Sequence, residues 1–342
     1  MTVIPGLEHR ADSQLHPVIR ASADLDRFLA MGPVPLFIEI SDHLDGFDID
    51  LRNKILCQID QHADRNNLVI TVLYHQIYDD CIKQIYKNLN FKYHPCRPTQ
   101  FYTYFTDYTI HPEQNFQHFI CSFNGGGPIS RNLFTAALHR RGWFDFAVCS
   151  KNFKTTADTI DGNIFDFVGD RANVYRKFFI GPDLDNFAQT INGFNHNHPH
   201  SHNLNVIDLG TKITQSFVQV VTETIGTSYC PFVTEKFLYA VVNRALFVTY
   251  GQPGWHAHVE KYFGFRNYNK IFDYQFDSIV NPVERVVALL DMLSKFSNLG
   301  RDDWHDLYHI ECDTIEFNYD HYFSGDYLKQ LCQHPDYYDG PL

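Results

Sequence analysis

What most constrains this chain is a series of short, continuously apolar runs that alternate with segments of helical periodicity. The first run, VPLFIEIS at residues 34–41, has no polar face to give to water, so it reads as a strand buried on both sides. LRNKILCQIDQHA at 51–63 follows, with Leu51, Ile55 and Ile59 at helical spacing, and then NNLVITVLY, a second strand that Asn66 and Asn67 introduce as a turn. DDCIKQIYKNLN at 79–90 returns to helical spacing through Ile82, Ile85, Tyr86 and Leu89, with Asp79 or Asp80 as its cap. Strand, helix, strand and helix in this order predict a mostly parallel sheet, in which ligands collect beyond the carboxyl ends of the strands. Residues 1–33 lack periodicity and read as an extended arm ending at the Gly32-Pro33 break.

The same grammar recurs further along. FICSFN at 119–124 is a strand, GGGP a loop, and Ser130 an N-cap for a helix that carries Leu133, Ala136, Ala137 and Leu138 and stops at Gly142. FDFAVCS at 144–150 is the next strand. Arg131 therefore falls in the first turn of a helix that opens from a glycine loop. After loops rich in Asp and Asn over 152–211, a second α/β block begins near Asn205. NPVERVVALLDMLSKFS at 281–297 is a helix with Asn281 as cap, Pro282 first, Glu284 third, and Val283, Val286, Val287, Leu290 and Leu293 along one face. The segment at 304–331 is again helical in pattern.

With 342 residues, 44% apolar and 20% charged, the chain has globular composition and is long enough for two cores. A formal charge of −12 disfavours nonspecific binding to nucleic acid, because the average field repels phosphate. The 30 Phe and 20 Tyr can fill a core or stack on sugars and bases. Eight cysteines without any C-x-x-C spacing read as reduced thiols. No apolar run reaches the roughly 20 residues a membrane helix needs, and the N-terminus has no hydrophobic signal core, so the expected location is the cytoplasm, or the host cytoplasm if the chain is viral. The run NHNHPHSHN, with His196, His198, His200 and His202, has a metal-binding composition, but its spacing does not put ligands on one helix face. No metal site is expected there. No Ser-His-Asp signature, nucleophile elbow or H-E-x-x-H is present, which leaves hydrolase readings unsupported.

Residues 220–251, VVTETIGTSYCPFVTEKFLYAVVNRALFVTYG, carry the most chemistry. A strand ends at Glu223 and Thr224, a polar loop returns to Thr234, and Thr234 can cap a helix whose first turn holds Glu235 and Lys236. A lysine at a helix N-terminus opposes the macrodipole, and an anionic ligand there would account for it; an ordinary capped helix with an exposed lysine is the alternative.

This stretch, with FVTEKFLYAVVNRALFVTYGQPG at its centre, is similar to the donor-binding segment of fucosyltransferase-like glycosyltransferases. FNGGGPISRNLFTAALHRRGWFD and the late FNYDHYF resemble further motifs of that family in its phage and bacterial form. The resemblance spans about residues 117–323. It implies a GT-B fold: α/β, with two Rossmann-like domains and a cleft between them. It also implies that Glu223 and Glu235 hydrogen-bond hydroxyls of a nucleotide sugar, that Thr234 caps the donor helix, and that Lys236 and Arg131 neutralise the diphosphate. The donor is a co-substrate, with no cofactor and no essential metal. The chain departs from the family at Thr224, at the GGG loop and at Tyr229-Cys230-Pro231.

The expected organisation is an acceptor domain over 1–150 and a donor domain over 151–342, its last helices crossing back onto the first. The expected activity is transfer of a sugar from a nucleotide-diphosphate sugar to an acceptor hydroxyl. Glu39 and Asp42, at the first strand's carboxyl end, are candidate bases, though a loop carboxylate that caps a helix fits them as well. The acceptor is a saccharide, or alternatively a hydroxymethylated base of phage DNA held by Lys92, Arg97 and the aromatic cluster at 102–108. A noncatalytic carbohydrate-binding module is the alternative outside enzymes.

Overall fold

The computed structural model describes residues 18–19, 37–40, 49–74, 80–93, 105, 113–124, 129–143, 147–151, 209–223 and 231–338. Asp42, Arg97, the glycine loop at 125–127 and the histidine run at 196–202 lie outside them. The protein is a mixed α/β chain with two parallel sheets, compatible with Rossmann-like folds. It divides into two compact units: Met1–Thr99 with Thr227–Pro231 and Leu328–Leu342, and Gln100–Gly226 with Phe232–Tyr327.

In the first unit, β1 (Val18–Ile19), β2 (Phe37–Ile40), β3 (Ile70–Tyr74) and β4 (Leu89–Tyr93) run parallel in that order. The helix α1 (Ile49–Arg65) buries Ile55, Leu56, Ile59 and Ala63, and Asn67, at φ 51°, turns the chain into β3. Two readings change here. Val18–Ile19, in the stretch expected to be an arm, pairs in parallel with β2. The helix expected over 79–90 is α2 (Asp80–Ile85) alone, and Leu89 opens a strand. The helical spacing of Ile82, Ile85 and Leu89 also fits a short helix followed by Leu89, Phe91 and Tyr93 alternating inward, and pairing with β3 selects the second pattern. The C-terminal tail joins this sheet's edge. Tyr93 donates its N–H to the Asp336 carbonyl at 2.8 Å, accepts from Tyr338 N–H at 2.8 Å, and Lys83 pairs with the Asp336 carboxylate.

The second unit holds β5 (His118–Asn124), β6 (Ala147–Lys151), β7 (Ser216–Thr222) and β8 (Phe247–Tyr250), all parallel, in the order β6-β5-β7-β8. Since β5 hydrogen-bonds to β6 on one side and β7 on the other, a domain boundary at residue 150 would cut this sheet, and the division falls near residue 99 instead. Every residue of β7 is buried, the apolar Phe217, Val218, Val220 and Val221 together with the polar Ser216, Gln219 and Thr222, so both faces of this strand are covered. Phe217 on β7, Phe119 and Trp304 stack on one another as a triangle, with centroid distances of 6.3, 5.8 and 5.9 Å, so these aromatics fill the core.

Helix α3 (Ile129–Arg140) follows β5 and ends at Gly142, φ 68°. Ser130 lies inside its first turn and not ahead of it as expected. After β8 come α4 (Trp255–His258), α5 (Pro282–Ser294), α6 (Arg301–Ile310) and α7 (Cys312–Phe323). Asn281 caps α5, accepting from Val283 N–H at 3.0 Å and Glu284 N–H at 3.4 Å. The buried face of α5 runs through Val286, Leu289, Leu290 and Leu293, while Val287 is 39% exposed; the expected stripe is turned by part of a helical step, so Leu289 replaces Val287 in the core. Among the described residues, no helix is long and apolar enough to cross a membrane.

Candidate functional site

The strand order of the second sheet marks a position. From β5 the chain moves outward to β6, and from β7 it moves the opposite way to β8. The helices in these crossovers lie on opposite faces. Phe134 of α3 stacks on Tyr250, at 6.4 Å, and Phe237, just after β7, packs on Phe247 at 5.7 Å. Residues 247 and 250 are three apart on one strand and so face opposite sides. The connections leaving β5 and β7 therefore diverge, and the carboxyl ends of these two strands flank the crevice where open α/β sheets take ligands. The first sheet has its strands in sequential order, with no such reversal among the described residues.

Five of the residues singled out by sequence meet at that crevice. Glu223 follows β7 directly, donates its N–H to the Tyr250 carbonyl at 3.0 Å, and is completely buried. Its carboxylate accepts from the Thr234 N–H at 3.1 Å and the Thr234 hydroxyl at 2.8 Å, and pairs with Lys236 Nζ at 3.4 Å. The Thr234 hydroxyl in turn accepts from Lys236 Nζ at 2.6 Å and, at the longer distance of 3.4 Å, from Lys236 N–H. Thr234 is thus the expected cap, but what it caps is a 3-10 turn, Glu235–Phe237, leading into five helical residues at Leu238–Val242. Pieces this short do not accumulate a full helix dipole. The placement of Lys236 is explained within the protein, by the buried carboxylate of Glu223.

Arg131 approaches from the other side of the crevice. It is 7% exposed, and its Nε donates to the Thr222 carbonyl at 3.3 Å. Burial pushes the guanidinium pKa down, and the carboxylates of Glu223 and Glu235 oppose that shift. An arginine stays charged through such an environment, so the crevice holds two cations, Arg131 and Lys236, balanced by two carboxylates, Glu223 and Glu235. Asn124, at the end of β5, accepts from the Thr222 hydroxyl and donates to Ser122 Oγ at 3.2 Å and Cys149 Sγ at 3.5 Å. This polar brace across β5, β7 and β6 was not foreseen from sequence; a polar residue closing an apolar strand was the available signal.

Other expected positions belong to other elements or have structural duties. Glu39 is the third residue of β2, in the ladder between Val18 and Leu73, and Asp42 is outside the described residues. Phe105, within the 102–108 aromatic cluster, is fully buried and packs edge-on against Tyr239 at 5.1 Å. Asn318, in the late FNYDHYF motif, clamps the backbone of Arg266, accepting from its N–H at 2.8 Å and donating to its carbonyl at 2.9 Å. Among the described residues no group of three or more His, Cys, Asp and Glu is arranged to hold a metal ion.

Fold and site together define a parallel α/β protein with a charge-balanced polar cluster at a topological switch point. Comparison with protein-family models, with curated proteins and with solved structures finds no match.

Proposed function

We propose that this protein is a glycosyltransferase of fucosyltransferase-like type that binds a nucleotide-diphosphate sugar at the crevice between β5 and β7. The observation that carries the reading is the meeting of Arg131, Glu223, Glu235 and Lys236 at the switch point from segments about a hundred residues apart in sequence. In this reading an acceptor hydroxyl attacks the anomeric carbon, a new carbon–oxygen bond forms as the bond to the diphosphate breaks, and Arg131 and Lys236 take up the charge of the leaving diphosphate without an essential metal. The acceptor's proton passes to a carboxylate, for which Glu39 and Asp42 are the candidates. Lys236, with its side chain 20% exposed, and the half-buried Glu235 meet the ligand. Glu223, with both oxygens on Thr234, positions them. The reading carries with it the GT-B organisation, with acceptor elements on the first unit. A saccharide is the preferred acceptor over a DNA base, given the charge of −12 and the burial of Phe105.

Calorimetric titration with uridine, guanosine and cytidine diphosphates tests the site. One of them should bind, and Lys236→Ala and Arg131→Ala, checked for folding by thermal melts, should each weaken it at least tenfold. Unchanged affinity in both variants would remove the assignment. One observation favours a noncatalytic binding module instead: the cations of the cluster are already matched by its own carboxylates. Binding without any donor hydrolysis or transfer would decide for that reading.

A further inference from the structure

Gln252 is a polar residue at this edge of the sheet that neither the fold nor the cluster fully employs. It stands two positions beyond β8, in a turn completed by Gly254 at φ 77°, whose N–H donates to the Asp277 carbonyl at 2.7 Å. Its Oε1 accepts from the Phe232 N–H at 3.0 Å. A backbone N–H can only donate, so this bond fixes the side-chain amide: the oxygen faces Phe232 and Nε2 faces away. Among the described residues Nε2 has no hydrogen-bond partner, although Gln252 is only 1% exposed. A buried donor left in this state costs roughly 1–3 kcal/mol, which an apolar side chain of the same shape would not incur.

The location gives that donor a use. Phe232 is two residues from Thr234, which Glu223 holds at the end of β7, while Gln252 holds Phe232 from the end of the adjoining β8. The Trp255 indole N–H adds a bond to the Phe232 carbonyl at 3.3 Å, so the strip is anchored without any help from Nε2. The cations of the cluster lie toward β5 and β7, and Gln252 lies one strand further out, a spacing of about 5 Å between neighbouring strands.

We infer that Gln252 Nε2 is a specificity-determining donor that pairs with an acceptor oxygen on the nucleoside part of the ligand, a ribose hydroxyl or a base carbonyl, while Arg131 and Lys236 take the diphosphate. The inference rests on the nucleotide reading of the crevice. It assigns recognition of the nucleoside and of the phosphates to different strands.

Calorimetry with the full chain separates the two. Against the nucleoside diphosphate that the wild type binds best, Gln252→Met should lose about tenfold in affinity, the worth of one hydrogen bond near 1.4 kcal/mol. Against inorganic pyrophosphate it should match the wild type, whereas Lys236→Ala should weaken both. Gln252→Glu keeps an acceptor for Phe232 and loses the donor at neutral pH. Its affinity for the nucleoside diphosphate should recover on acidification, when the new carboxyl can donate, and this arm also serves if the methionine variant does not fold. Wild-type affinity in Gln252→Met, or a Gln252→Glu profile parallel to that of the wild type, overturns the inference and leaves Nε2 to a sequestered water. If the wild type binds neither nucleoside diphosphate nor pyrophosphate, the nucleotide reading itself fails.

Discussion

Replacing Glu223 by Gln tests whether the strand-end carboxylate holds the crevice together. The substitution preserves shape but removes the charge that accepts two bonds from Thr234 and faces Lys236 and Arg131. It also sets an amide donor against donors. Removing one member of a fully buried ion pair costs about 3–5 kcal/mol. Lys236 is 20% exposed on its side chain and keeps some hydration, so the lower end, about 3 kcal/mol, applies. For a domain of this size class, roughly 2–4 °C per kcal/mol, the melting temperature should fall by roughly 6–12 °C. Thermal and urea unfolding followed by circular dichroism read this directly. Thr234→Val, which loses the bridging hydroxyl, should cost about 1 kcal/mol, and the double variant should cost less than the two added, because both remove the same contact. A Glu223→Gln protein melting within about a degree of wild type, or strictly additive losses, would refute the reasoning.

Two further predictions concern the second unit. Asn281→Ala removes the acceptor for Val283 and Glu284 N–H and should cost about 1 kcal/mol in urea unfolding, with Asn281→Asp recovering most of it. Burial pushes the Asp277 carboxyl up to about 6, against backbone N–H bonds from His256, Ala257 and Trp255 and the charge of Arg285, which hold it down. Between about pH 4 and 6 the folded protein therefore retains a proton that the unfolded chain has released, and this group's contribution to stability falls as pH rises, by roughly 3 kcal/mol in all. His256, kept neutral by burial with its pKa pushed down to about 4, acts in the opposite sense: its contribution is full above about 6.5 and is lost as pH falls toward 4. Relative to Asp277→Asn, the wild type should thus lose stability from pH 4 to 6.5, and relative to His256→Gln it should gain; differences that do not vary with pH would contradict both assignments.

The candidate cluster was unevenly legible. Thr234 as a cap and Glu223 at a strand's end follow from neighbours a few residues away, and the structure has both. The awkward position of Lys236 was visible, but its partner was not, because Glu223 reaches it only once the chain has turned back after β7. Asn124 was legible only as a polar residue closing an apolar strand, and Gln252, before a proline, reads as a turn residue until the strands are placed side by side.

Sequence alone determined the strand segments at β2, β3, β5 and β7, where α1 and α5 run, and the caps at Thr234 and Asn281. These properties depend on side chains spaced two to four residues apart, so the local pattern suffices. Tertiary structure alone decided that β7 pairs with β5, that Val18–Ile19 joins the first sheet, that Leu89 opens a strand, and that the division falls near residue 99. Pairing between strands nearly a hundred residues apart is set by the total burial and hydrogen bonding of the assembled sheet, which no local window contains. The reversal of strand order that brings Arg131 and Lys236 to one crevice is a consequence of that pairing.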